Sequence, residues 1–202
     1  MASDPDAALM VAFRGGDESA FRSLFEKHGR AMVAFCNHFV RDAARAEELA
    51  QDVFLKLYRS APAYKPTARF KTFLYRIASN HCLNELRRGE YAARRAEDRS
   101  AREEGGAPEP TDPDSLAGPA VTPEEAALGA ALGRQVQALL ASLPDKQRAA
   151  FVLGRLEGLS YEEIAEVLDT TVSAVKSLVH RATVAAAAAL EPAALASPEA
   201  SR

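Results

Sequence analysis

Large apolar residues along this chain recur at intervals of three and four, and strict alternation of apolar and polar positions is rare. That period puts them on one face of a helix. Phe21, Leu24, Phe25, His28, Met32 and Phe35 form one such run, and Gly15-Gly16-Asp17 precede it as a start signal. Leu49, Ala50, Val53, Phe54 and Leu57 form a second, with Asp42 as its predicted N-cap. Phe70, Phe73, Leu74, Ile77 and His81 form a third run, expected to be core, and Pro62 and Pro66 bound the loop before it. The pattern predicts helices over about 17–39, 42–60 and 70–95. Thr122-Pro123-Glu124-Glu125 is a further start, with proline in the first turn and acids against the helix dipole. Beyond it, helices are predicted over about 124–141, 145–157, 160–168 and 172–189.

Between the two sets of helices the pattern stops. Gly105, Gly106, Pro108, Pro110, Pro113, Gly118 and Pro119 fall in a stretch almost free of large apolar residues. Such a segment cannot bury enough surface to offset its ordering entropy. The expected fold is therefore all-α, with two small helical domains over about 10–95 and 124–190. A flexible acidic linker over about 96–123 joins them, and the last residues, Glu191 to Arg202, are expected to fray.

Charge sharpens the division. The net charge is −3, yet residues 10–95 carry 16 Lys and Arg against 9 Asp and Glu. Residues 96–125 carry 2 against 9, and residues 126–190 are balanced at 6 against 6. A basic block suggests a polyanion partner, although an unevenly charged solvated surface gives the same count. No apolar run nears the length of about 20 residues that spans a membrane, and the acidic start lacks the basic-then-apolar order of a signal peptide. Cys36 and Cys82 cannot form a disulfide framework, so reduced, buried thiols in a cytoplasmic protein are expected. The four histidines show no metal-ligand spacing with them. No phosphate-binding glycine loop or nucleophile constellation can be placed, so no catalytic residue, metal or cofactor is expected.

Residues 160–181 carry the sharpest local signal. Ser160 and Glu163 have the spacing of a capping box. Ile164 and Leu168 face inward, and Ala165 is small where a second helix must cross. Asp169-Thr170-Thr171 breaks the helix, and Asp tolerates a left-handed turn position. Val172, Val175 and Val179 then restore an inward face. A short helix, a tight turn and a second helix can place that second helix in a major groove. Its outward face holds Ser173, Lys176, Ser177, His180 and Arg181, donors suited to phosphates and base edges. A plain helical hairpin with a polar outer face is the alternative.

Leu143-Pro144, Arg148, the run Leu156-Glu157-Gly158-Leu159-Ser160-Tyr161-Glu162-Glu163-Ile164-Ala165, and Val175-Lys176-Ser177 with His180-Arg181-Ala182 together resemble the promoter-binding C-terminal domain of bacterial sigma factors. The resemblance is greatest to the compact extracytoplasmic-function (ECF) group of the sigma-70 family. It implies recognition of the −35 element by this domain and contact with the polymerase β flap. Asp169 stands where glycine is common in that group, and Leu178 and Thr183 stand where arginine is common. Fewer cations weaken phosphate contact and flatten its salt dependence.

The first domain carries two further matches. In 46–60, Glu47, Glu48, Gln51, Asp52 and Arg59 share the polar face, and Leu55 sits among them. This segment resembles the sigma helix that docks on the β′ clamp helices of core RNA polymerase, which implies contacts by Glu48, Gln51, Asp52 and Leu55. In 70–88, Arg76, Asn80, Leu83 and Arg87 fall in one narrow stripe. Residues 69–95 hold seven Lys and Arg with aromatics among them, a combination that suits single-stranded DNA. A membrane-surface helix or a solvated basic face would share that composition. The run Phe70-Lys71-Thr72-Phe73-Leu74-Tyr75-Arg76-Ile77-Ala78-Ser79-Asn80 resembles the sigma helix that melts and captures the −10 element. The resemblance implies DNA contacts by Lys71, Arg76, Asn80, Arg87 and Arg88, and a flipped base taken up by the loop from Ala61 to Arg69.

The expected function is thus a sigma factor that binds core RNA polymerase and directs initiation at promoters, without being an enzyme itself. Its expected partners are core polymerase, promoter DNA and an anti-sigma factor, and no membrane insertion is expected. The rival is a stand-alone helix-turn-helix regulator that binds duplex DNA as a dimer, for which no heptad seam is visible. A basic module for an acidic protein is a third class.

Overall fold

The computed structural model describes the backbone of residues 4–100 and 123–194, with side chains over 4–89 and 132–189. Every regular element among the described residues is helical. The chain divides into two compact units, Met1–Ala117 and Gly118–Arg202. The middle of the expected linker, 101–122, and the tail after 194 lie outside the described residues.

The first unit contains α1 (Pro5–Arg14), α2 (Glu18–Val40), α3 (Ala43–Ser60), a 3₁₀ turn (Ala61–Ala63) and α4 (Phe70–Ser100). Sequence periodicity does not predict α1, although Asp4-Pro5 carries a helix start signal. Asp4 caps it, accepting from the amides of Asp6 and Ala7, and Pro5 takes the first turn. Asp17 caps α2 and Asp42 caps α3 in the same way. Leu49, Ala50, Val53, Phe54 and Leu57 of α3 are all buried against α2 and α4, as the pattern predicts. The core centres on Phe35, whose ring meets Tyr75 edge-on at 5.0 Å and Phe39 at 5.1 Å. Full burial of each large side chain contributes about 1.5–3 kcal/mol.

Two expectations about α4 change. Its buried face is Phe70, Leu74, Tyr75, Ala78 and Cys82, whereas Phe73, Ile77 and His81 are only half-buried. Helices pack against α4 from more than one direction, so its core face is wider and rotated relative to the predicted stripe. The helix also runs to Ser100 rather than 95. Residues 91–100 lack proline and glycine and are rich in alanine and arginine, both good helix formers.

The second unit contains α5 (Pro123–Ser142), α6 (Asp145–Phe151), a π turn (Val152–Leu156), α7 (Tyr161–Val167) and α8 (Val172–Ala194). The capping box at the start of α7 is present in both directions, with Glu163 N–H to Ser160 Oγ at 3.2 Å and Ser160 N–H to Glu163 Oε2 at 2.8 Å. Asp169 adopts the left-handed conformation at φ 49°, which sets the turn into α8. Gly154 lies where an added Cβ would stand 3.3 Å from Ile164 Cδ1, so its absence lets the π turn close on α7. Arg148 is buried and donates through Nη2 to the carbonyls of Ala141 and Leu143, both at 3.3 Å, stapling the α5–α6 turn. The predicted helix over 145–157 is therefore α6 plus a wider turn, and α8 extends five residues past 189 on its alanine-rich sequence.

Candidate nucleic-acid and protein interfaces

On α3 the apolar stripe is buried, so the opposite face must be solvated. Glu48, Gln51, Asp52 and Leu55 all lie there, spaced i, i+3, i+4 and i+7 as one continuous strip. Leu55 is 46% exposed amid polar neighbours. The carboxylates are not free rotors. Arg45 Nη1 donates to Glu48 Oε2 at 2.5 Å, and its other terminal nitrogen donates to Glu85 of α4. Asp52 Oδ2 lies 3.1 Å from His81 Nε2, also on α4.

On α4 the predicted DNA residues Lys71, Arg76, Asn80, Arg87 and Arg88 are all exposed. Arg76, Asn80 and Arg87 line up within about 40° around the helix axis. Arg88 lies about 100° beyond Arg87, and Lys71 lies on the far side of the stripe, about 140° from Arg76. Arg76, Asn80 and Arg87 thus share one stripe, Arg88 flanks it, and Lys71 stands apart at the start of the helix. Lys71 Nζ sits 5.5 Å from the centre of the Tyr75 ring, a cation–π distance that orders the side chain.

The loop that enters α4 is braced by α1. Arg14 Nη1 donates to the Tyr64 carbonyl at 2.8 Å, and the Phe70 amide donates to Asp4 Oδ2 at 2.7 Å. One carboxylate therefore caps α1 through Oδ1 and α4 through Oδ2.

On α8, Ser173, Lys176, Ser177, His180 and Arg181 are all exposed on one face, while Val175, Val179 and Ala182 are buried against α6 and α7. Thr171 caps this helix, its hydroxyl accepting from the Ala174 amide at 3.2 Å. Ser177 donates its hydroxyl to the Ser173 carbonyl at 3.1 Å, so its single O–H is used within the helix and its oxygen is left as an acceptor.

Two sigma-family models match the chain: Sigma-70 region 2 over residues 24–90 and Sigma-70, region 4 over residues 133–184. The RNA polymerase sigma-H factor of Pseudomonas aeruginosa is 34% identical over 193 residues, covering 95% of this chain and 97% of that protein. The chain belongs to the sigma-70 family. The ECF RNA polymerase sigma-E factor of Haemophilus influenzae is 33% identical over 181 residues, covering 88% of this chain and 90% of that protein. This ECF sigma factor therefore acts in promoter-directed transcription initiation. A solved structure, CnrH in complex with the cytosolic domain of CnrY, shares the fold with a TM-score of 0.68 at 23% identity, covering 94% of this chain and 99% of that one.

Sequence reasoning missed the groups that hold the sigma factor's exposed faces in place. Arg45 could have been found, since it stands three residues before Glu48 on one helix. His81 and Glu85 could not, because α4 meets α3 only through the tertiary fold. Asp6 is another case: it is buried and pairs with Lys27 at 2.6 Å and His28 at 2.9 Å. Burial opposes its ionisation, but these two partners outweigh burial and lower its pKa.

Cys36 and Cys82 are buried with their sulfurs 3.7 Å apart. The neighbouring thiol and burial push the Cys82 pKa up, which holds it protonated and unreactive. Among the described residues no group of three or more His, Cys, Asp or Glu could hold a metal ion. No described helix is long and apolar enough to cross a membrane.

Proposed function

We propose that the chain docks on core RNA polymerase through Glu48, Gln51, Asp52 and Leu55 of α3, with the acids meeting basic residues on the clamp helices. The domain over about 10–95 then opens the −10 element. Lys71, Arg76, Asn80, Arg87 and Arg88 of α4 hold the non-template strand, and the loop from Ala61 to Arg69 takes a flipped base. The domain over about 124–190 reads the −35 duplex through Ser173, Lys176, Ser177, His180 and Arg181 of α8, next to the β flap. The linker over 96–123 tethers the two, its negative charge mimicking nucleic acid along the path of the polymerase. The chain is not itself an enzyme: polymerase supplies the chemistry, inside the cell. An anti-sigma factor holding the free protein inactive is part of this reading.

One observation supports it above the others. The exposed acidic strip with Leu55 on α3 and the exposed basic surface on α4 belong to one folded unit, so a single module offers separate faces for protein and DNA. The test is transcription by purified core polymerase with the full chain on a promoter library. Sequence-selective initiation is expected, and its absence would refute the reading. Tight duplex binding without polymerase would favour the stand-alone regulator instead. Within the mechanism, Arg87→Ala with Arg88→Ala is expected to impair promoter opening more than polymerase binding. Equal loss of both contradicts the division of roles.

A further inference from the structure

Both acids of the α3 strip are gripped from behind by other side chains. His81 Nε2 faces Asp52 Oδ2 at 3.1 Å, while Lys56 Nζ lies against His81 Nδ1. An ammonium group only donates, so Nδ1 must accept and the ring proton must sit on Nε2. That proton then donates to Asp52. Burial and the Lys56 charge lower the His81 pKa against the opposing pull of Asp52 and Glu85, which keeps the ring neutral. This arrangement requires a neutral ring, since a second proton on Nδ1 would face the Lys56 ammonium. The imidazole side chain is only 12% exposed, whereas the Asp52 side chain is 55% exposed. The fixed partner is therefore the histidine, and the carboxylate keeps a side open to solvent. One turn earlier, Arg45 bridges Glu48 and Glu85 in the same fashion.

We propose that His81 is a positioning residue for polymerase docking, assisted by the Arg45–Glu85 pair. These groups hold the Asp52 and Glu48 carboxylates in one orientation on α3 and tie that face to α4. The proposal rests on the docking face set out above. Its physical basis is that a carboxylate already oriented loses less side-chain freedom on meeting a cation of the partner. It also gives α4 a direct link to the docking face, because His81 follows Asn80 of the basic stripe.

The experiment is an equilibrium titration of the full chain against purified core RNA polymerase. The proteins are the wild type, His81→Ala, His81→Gln, Asp52→Ala and the double variant His81→Ala with Asp52→Ala. His81→Ala is expected to weaken binding about two- to tenfold, the range of one net hydrogen bond. His81→Gln keeps an N–H donor near the place of Nε2 and is expected to restore affinity. In the Asp52→Ala background, His81→Ala is expected to add nothing. His81→Leu fills the ring's space without the donor and gives the same reading should the alanine variant not fold. If the loss at His81 has the same factor in both backgrounds, or is absent, the positioning role is overturned and the docking face stands. If Asp52→Ala with Glu48→Ala binds polymerase as tightly as wild type, the docking face itself is wrong and this role falls with it.

Discussion

Replacing Asp4 with alanine is expected to loosen two helices at once. Its Oδ1 accepts from the amides of Asp6 and Ala7 at the start of α1, and its Oδ2 accepts from the Phe70 amide at the start of α4. Loss of an N-cap costs about 0.5–2 kcal/mol, and loss of a bond to a charged acceptor about 1.5–3 kcal/mol. One residue makes both, so the sum is not strictly additive, and about 2–4 kcal/mol is the expected total. In a unit of roughly 100 residues each kcal/mol lowers Tm by about 4–8 °C, so a fall of about 8 °C or more should be visible. Asparagine retains one acceptor oxygen and should lie between wild type and alanine. The assay is hydrogen exchange read by mass spectrometry on the full chain, beside a circular-dichroism melt. Peptides over 5–14 and 70–76 should lose protection together, while those over 160–182 stay unchanged. Loss confined to 5–14, or a Tm shift under about 2 °C, would refute the shared cap.

Three further outcomes are expected. Ser160→Ala breaks the capping box and should cost about 1 kcal/mol, measured as faster exchange in α7 and a lower Tm for the second unit. Unchanged exchange there would count against the capping role. Asp169→Gly should raise that Tm by a stability gain of up to about 1 kcal/mol, because Asp169 sits at φ 49° where glycine bears no Cβ penalty. Stability of the first unit should fall as pH drops from 7 through 6.5. Burial lowers the pKa of His38, and burial with Lys56 lowers that of His81, so the unfolded chain binds more protons in that window. The Asp6 contribution is present above its ordinary value of 3.8 and is lost as pH falls through its lowered folded value. A Tm that holds level or rises between pH 7 and pH 5.5 would contradict the assignment for the two histidines.

Local signals were legible wherever chemistry acts within one turn. The caps Asp17, Asp42 and Ser160, the buried stripe of α3 and the left-handed turn at Asp169 all follow from neighbours three or four residues apart. Helix α1 lay outside the predicted helices, although Asp4-Pro5 carries the pattern of a start signal. The buried face of α4 was not legible, because its angle is set by helices that pack on it from elsewhere in the chain. Tyr75 and Cys82 are core for that reason, and His81 stands at the rim.

The sequence alone determined most of the helical segments, where most of them begin, and which side chains of α3 and α8 face solvent. Those properties depend on spacing, and spacing is local. Tertiary structure decided which distant groups share one atom's worth of space. It brought Asp4 to the Phe70 amide, Arg14 to the Tyr64 carbonyl, and His81 and Glu85 to the strip on α3. These pairs are separated by at least 29 residues in the chain, and no periodicity links them. Only the burial of the apolar faces, which brings the helices together, fixes which of their polar edges meet.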